Sequence, residues 1–252
     1  MKINVQTTVV ILSLLASVAA LAWGVLYYLT YAVRSQVLGK TFWRGRKDRN
    51  EVALTFDDGP GPDTVRVLDV LRESNTKAAF FIIGEMAKRY PEVVQRTAAE
   101  GHEIGNHSYR HRITLFSSKR RTRHELYKAQ ETISNIAKVS PRYARPPCGV
   151  RTASYFKYAR QLRLTTVQWT VAGFDWKRRS PEQIANDVLR KVKPGSIVLL
   201  HDGDSAGRAD RRRTADAIPL ILSGLERKNL KAVSLSRLLE TDPASEFHNS
   251  ET

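Results

Sequence analysis

Sulfur is scarce in this 252-residue chain, which has one cysteine, Cys148, and two methionines. A single cysteine excludes an intramolecular disulfide and a multi-cysteine zinc cluster, so a stable fold must rest on core burial. Acids are short too: 25 Asp and Glu stand against 41 Lys and Arg, a formal net charge of +16. No repeat of about 20–50 residues and no low-complexity tract is present, which excludes solenoids and propellers. Apolar residues at 42% and charged residues at 26% are ordinary for a globular protein and too apolar for a disordered one. The length suits one domain, or a barrel of about 200–250 residues.

The charge is uneven. Residues 1–50 hold seven basic residues and one acid, Asp48, while the remainder holds 34 basic and 24 acidic residues. Nucleic acid is the first partner such a balance suggests. The chain has no interleaved aromatic-basic pattern and no nucleic-acid-binding motif, so none is expected as a partner.

One long hydrophobic run is present. From Val9 to Val33 there are 25 residues without a charge, and Trp23, Tyr27, Tyr28 and Tyr31 gather near its end. About 20 apolar residues span a bilayer core as a helix, and amphipathic rings suit its interface. The competing reading is a cleaved leader with Ala20-Leu21-Ala22 as its small-x-small site. Cleavage there would leave Trp23–Val33 as an apolar new terminus, so an uncleaved single-pass anchor in a bacterial-type cell membrane is the expectation. Six basic residues follow the span before position 50 and only Lys2 precedes it. That asymmetry, taken alone, places residues 34–252 on the cytoplasmic side. Both orientations stay open.

The expected organisation is a short tail at 1–8, the anchor at 9–33, a basic linker at 34–50, a catalytic domain at 51–241 and a frayed tail at 242–252. Within the domain, strand-like runs at Val52–Phe56, Ala78–Ile83, Thr165–Val171, Ile197–Leu200 and Ala232–Leu235, with weaker ones at Glu103–Ile104 and Tyr143–Ala144, alternate with helical patterns. The helices are expected near 63–74, 91–100, 122–138, 152–162, 181–192, 214–227 and 236–240. This alternation predicts an α/β fold with a parallel sheet closed or nearly closed into a barrel. Chemistry in such barrels collects at the C-terminal ends of the strands.

Those ends carry titratable residues. The first strand runs into Asp57-Asp58-Gly59-Pro60, where neighbouring side chains diverge and two carboxylates can serve two tasks. By itself this is also turn chemistry. The third leads into His107-Ser108-Tyr109-Arg110-His111, two imidazoles spaced to converge on a metal if the segment makes a helical turn. No Glu follows His107, which argues against a zincin protease. Two imidazoles and one Asp leave open positions for water, the catalytic type of site. His201 emerges from a buried run and is a candidate general acid. Asp175-Trp176 and Arg145-Pro146-Pro147-Cys148-Gly149 close two other loops.

Thr55–Pro60, His107–His111, Arg145–Gly149, Asp175-Trp176 and Leu199–Asp202 resemble, in order and approximate spacing, the five motifs of the polysaccharide deacetylase family. This is the NodB-homology group, carbohydrate esterase family 4. The resemblance spans about residues 50–240 and implies a distorted (β/α)7 TIM-like barrel. It implies Asp58, His107 and His111 as ligands of a divalent metal, commonly zinc, with cobalt or another ion as alternatives. It further implies Asp57 as general base, His201 as general acid, the Cys148 backbone N–H as oxyanion donor, Asp175 as the partner of His201 and Arg145 as steadier of the acidic cluster. Pro147 and Trp176 fall at the substrate groove. Two positions depart from the family pattern: Cys148 stands where an aromatic ring is usual, and Ala172 where an Asp is usual three residues before Asp175.

The implied function is removal of N-acetyl groups from an amino-sugar polymer or oligomer, peptidoglycan- or chitin-like. A deacylase of lipid-linked sugar at the membrane is the first alternative, and a non-enzymatic basic binding protein the second. Lys119–Arg123, and Arg208 with Arg211–Arg213, are expected in loops leaving the catalytic face, where they would collect an anionic substrate. Gly59, Gly84, Gly105 and Gly195 read as turn glycines. Nothing in the sequence speaks to oligomeric state.

Overall fold

The computed structural model describes residues 5–115 and 117–240. The expected tail at 242–252 and residues 1–4 lie outside them. The chain opens with α1 (Val5–Thr30), in which Thr8–Thr30 is long and apolar enough to cross a membrane. Residues 8–28 are exposed, Leu29 is half-buried and Thr30 is buried.

The barrel follows as β1 (Glu51–Asp57), α2 (Thr64–Glu73), β2 (Ala79–Ile82), α3 (Gly84–Arg89), α4 (Pro91–Ala99), β3 (Glu103–Asn106), α5 (Lys119–Ala137) and β4 (Tyr143–Ala144). It continues with α6 (Ala153–Gln161), β5 (Thr165–Thr166), β6 (Val171–Ala172), α7 (Pro181–Leu189), β7 (Ile197–His201), α8 (Arg212–Arg227), β8 (Lys231–Ala232) and α9 (Leu235–Leu239). The strands run in the order β5-β4-β3-β2-β1-β7-β6, with β8 also pairing with β1. Every pairing between them is parallel.

All seven residues of β1 are buried, as a central parallel strand covered on both faces requires. Successive side chains face opposite ways. Leu54 and Phe56 join Val67, Leu68 and Leu71 of α2 in the outer core, while Ala53 joins Phe81, Val167 and Leu235 inside the barrel. The same alternation points Thr55 and Asp57 inward.

The helical patterns are observed close to their expected places, with α3 added. At six residues, α3 is too short to show a helical period. Two strand expectations are corrected. Thr165–Val171 is not one strand: it breaks into β5 and β6, which form opposite edges of the sheet. Residues 42–45 lie in the seam between them. Phe42 N–H donates to Thr166 O and Gln168 N–H to Phe42 O, at 2.9 and 2.8 Å, and Thr170 Oγ1 donates to Trp43 O at 2.6 Å. The basic linker is therefore docked on the barrel. The Ala232–Leu235 run gives only the short β8, because the Glu103 carboxylate accepts the N–H groups of Leu235 and Ser236 and starts α9 there. Gly105 is a strand residue of β3 rather than a turn glycine, and a Cβ there would meet the Phe81 ring.

Candidate active site

Asp57 ends β1 on the barrel's inner face, where Arg145 meets it. Arg145 Nη1 donates to Asp57 Oδ1 at 2.6 Å and to Thr55 Oγ1 at 2.9 Å. Its Nε and Nη2 donate to the carbonyls of Val167 and Gln168. Arg145 is 1% exposed, and its guanidinium lies 4.0 Å over the Phe81 ring. All three nitrogens are engaged, so the group is fixed in place and its charge is balanced by Asp57.

Asp58 turns the other way. Its φ of 71° carries the chain out of the strand, and its Oδ1 lies 3.2 Å from His107 Nε2 and 3.1 Å from His111 Nε2. His107 Nδ1 is 2.7 Å from the Arg145 carbonyl. As donor to that carbonyl, Nδ1 carries the proton and leaves the Nε2 lone pair facing Asp58. Burial works against the charge on Asp58, but the nearby imidazoles of His107, His111 and His201 hold its carboxyl below the usual range.

The two histidines do not sit on a helical turn. Residues 107–111 form a loop in which Ser108 and His111 have φ of 65° and 54°. The amides of the segment are taken by side chains: Asn106 Oδ1 accepts Ser108 N–H, and Glu125 Oε2 accepts those of Tyr109 and Arg110. Convergence comes from these two buried side chains, which neither motif spacing nor periodicity exposed.

The donor atoms of Asp58, His107 and His111 all lie within 4.8 Å of one another. Asp58 Oδ1 is buried without a hydrogen-bond partner, a costly arrangement for a carboxylate oxygen unless a cation meets it. One carboxylate and two imidazole nitrogens fit a divalent transition metal.

His201 ends β7. Its Nδ1 is 2.9 Å from Asp175 Oδ1, and its backbone N–H donates to Asp175 Oδ2 at 2.7 Å. Thr214 Oγ1 donates to the same Oδ2. Burial alone would lower the imidazole pKa, but the Asp175 carboxylate outweighs it, and the pKa is raised. The Trp176 ring stands edge-on to His201 at 5.2 Å and is 46% exposed.

Pro147, Cys148 and Gly149 form a single 3-10 turn after β4, with Pro147 buried and Cys148 exposed at its rim. Partial desolvation, then the Asp58 and Asp57 carboxylates, push the Cys148 thiol pKa up. A thiolate nucleophile is disfavoured there.

Two residues have roles the sequence did not reveal. Asp202 is buried; Thr64 Oγ1 donates to its Oδ2 at 2.7 Å. Burial pushes its carboxyl up to about 7, against the Thr64 hydrogen bond and helped by Asp58 and Asp57. The signal was a second acid directly after His201 at the end of an apolar run. Arg211 was expected in an exposed basic rim. It is buried instead, with Nε and Nη1 donating to the carbonyls of Gly203 and Asp175. The basic clusters are also not wholly loops: Lys119–Arg123 opens α5, and Arg212 and Arg213 open α8.

The chain is similar to several known proteins. The sequence profile of the polysaccharide deacetylase family matches residues 44–167. A peptidoglycan-N-acetylglucosamine deacetylase of Bacillus cereus is 37% identical over 198 residues, covering 78% of this chain and 71% of its own. A chitooligosaccharide deacetylase of Bradyrhizobium sp. is 35% identical over 196 residues, 74% of this chain and 90% of the relative. The crystal structure of a peptidoglycan N-acetylglucosamine deacetylase in complex with 4-naphthalen-1-yl-N-oxidanyl-benzamide superposes with a TM-score of 0.75. It is 36% identical, with 80% of this chain and 94% of that one covered.

Proposed function

The chain belongs to the polysaccharide deacetylase family, and from that premise we propose that it hydrolyses N-acetyl groups of a peptidoglycan- or chitin-like amino-sugar polymer. The observation that carries this reading is the Asp58, His107 and His111 donor set flanked by two groups held in ion pairs, Asp57 by the Arg145 guanidinium and His201 by the Asp175 carboxylate. Such a pairing of base and acid around one centre is what amide hydrolysis requires.

Asp58, His107 and His111 would hold a divalent ion, zinc by donor type with cobalt as an alternative, which when bound polarises an amide carbonyl and acidifies a water. Asp57, with Oδ1 taken by Arg145, offers Oδ2 to accept the proton of the attacking water. The Cys148 N–H donates to the carbonyl oxygen as it gains charge. His201 then gives the Nε2 proton to the departing amine, while Asp175 keeps Nδ1 protonated and the ring oriented. Acetate and a free amino sugar result. Nucleophilic attack by Cys148 is not needed.

The apolar α1 is proposed as an uncleaved single-pass anchor, with the barrel on the extracytoplasmic side, where a cell-wall glycan is met. A reporter fused after Thr252 decides the side. A second reading, deacylation of a lipid-linked sugar, is favoured by one contact: the N–H of Arg151, in the loop after β4, donates to Thr30 O at the end of α1. Incubation of the purified chain with N-acetylglucosamine oligomers, peptidoglycan fragments and a lipid-linked N-acetyl sugar tests both. Free amine is expected on the first two; amine only on the third would favour the alternative.

A further inference from the structure

The apolar helix ends against the catalytic loops. The last carbonyls of a helix have no partner within it, and here Arg151 takes that of Thr30 and, just past the helix, that of Ala32. Its backbone N–H donates to Thr30 O at 2.8 Å, and its Nη2 donates to Ala32 O. Its Nη1 donates to Gly149 O at 3.1 Å. Arg151 is 0% exposed, and its side-chain bonds among the described residues go to main-chain carbonyls. A buried cation is costly without compensation, and the negative end of α1 supplies part of it.

Gly149 O is gripped a second time, by Gln168 Nε2 at 3.1 Å, and Gln168 N–H is itself bonded to Phe42 O. The segment leaving the helix thus braces this carbonyl from two sides. The turn it belongs to is unusual. Cys148 and Gly149 both lie in the left-handed region, with φ of 54° and 71°. A Cβ on Gly149 would lie 2.8 Å from the Trp169 ring and 3.0 Å from Gln168 Oε1, so only glycine fits. The turn's own bonds run from Gly149 N to Pro146 O and from Val150 N to Pro147 O, leaving the Cys148 N–H out. A left-handed non-glycine residue persists where its surroundings over-determine it, and the double grip on Gly149 O does so here.

We propose that Arg151 is a positioning residue, which holds the Gly149 carbonyl against the end of α1 and thereby aims the Cys148 N–H at the developing oxyanion. The apolar helix is then part of the catalytic framework as well as a tether. This rests on the reading of the Cys148 N–H as oxyanion donor.

The test uses the full chain with Arg151→Met, Arg151→Lys and Ala32→Pro. The last removes the Ala32 N–H bond to Tyr27 O and displaces the Ala32 carbonyl while leaving Arg151 in place. Losing one oriented oxyanion donor costs about 10²–10³ in kcat, so Arg151→Met is expected to lower kcat at least about tenfold with KM little changed. Arg151→Lys, reaching one carbonyl, recovers part of the loss. Because Cys148 is the chain's one cysteine, its alkylation rate reads the turn without reference to catalysis. It should rise in Arg151→Met and in Ala32→Pro. Unchanged kcat and unchanged alkylation in both variants overturn the proposal. If Arg151→Met does not fold, the same result in Arg151→Lys and Ala32→Pro does so. A wild-type chain that deacetylates nothing sinks the deacetylase reading instead, and the alkylation rates still judge the clamp.

Discussion

The Asp175 carboxylate holds His201 at two points, Oδ1 on the ring Nδ1 and Oδ2 on the backbone N–H, at 2.9 and 2.7 Å. One acid therefore fixes both the position of the histidine and its proton. Asp175→Asn removes the charge and presents an amide where a carboxylate stood. General acid catalysis is worth about 10²–10⁴, and a loss of about 10² in kcat is expected. The pH profile should move as well. Burial lowers the His201 pKa and Asp175 raises it more, so the variant's pKa falls. A group that must be protonated to act is lost as pH rises through its pKa, so the alkaline limb of kcat should shift to lower pH. An unmoved limb would detach His201 from the acid role.

Arg145 and Asp57 form a buried pair with their polar atoms in place. Removing one partner of such a pair costs about 3–5 kcal/mol, because the other charge is left alone in the interior. Asp57→Ala should lower the unfolding free energy by that order. Asp57→Asn keeps an acceptor for Arg145 and should cost less, while abolishing acetate release as fully. Equal stability loss in both would contradict the view that Arg145 needs an acceptor there.

His102 lies far from this chemistry and makes an acid-sensitive contribution to stability. Its Nδ1 accepts the Ala78 N–H, and its Nε2 is buried without a hydrogen-bond partner. Burial, then the Lys77 charge, push its pKa down to about 4. Between the ordinary value near 6.5 and about 4, the unfolded chain binds a proton that the folded chain refuses. The His102 contribution to stability is thus full above pH ~6.5 and falls as pH drops through that window, by at most about 3 kcal/mol, while the raised Asp202 carboxyl works in the opposite sense. Urea unfolding of the wild type and His102→Asn at several pH values checks this. The stability difference between wild type and variant should move against the wild type as pH drops from about 6.5 to about 4.

Much of the site could be read from local sequence, because Asp57, Asp58, His107, Arg145 and His201 each end or directly follow a short apolar run, where barrel chemistry collects. What could not be read depends on distant partners. Thr165–Val171 looks like one strand by composition, yet Phe42, more than a hundred residues earlier, bonds at Thr166 and Gln168 where the run leaves β5. Arg211 looks like a member of a basic run until Gly203 and Asp175 offer it carbonyls. The loop carrying His111 looks helical by spacing, and Glu125 on α5 makes it otherwise. Residue order shows which groups lie at strand ends, and long-range hydrogen bonds decide what those groups do there.

The donor set predicts a stoichiometric ion. Asp58→Ala, His107→Ala and His111→Ala should each lower metal content measured on the purified protein, while Asp57→Asn should leave it near wild type. A fall in Asp57→Asn equal to that in Asp58→Ala would mean that the two carboxylates do not divide the work of base and ligand.

Acetate release from N-acetylglucosamine oligomers, followed with and without a chelator in the wild type and Asp57→Asn, tests the central claim most directly. Release by the wild type alone, stopped by chelation and restored by added zinc or cobalt, is the expected result. Release that survives both chelation and the loss of the Asp57 carboxylate would contradict a metal-dependent, Asp57-assisted deacetylation.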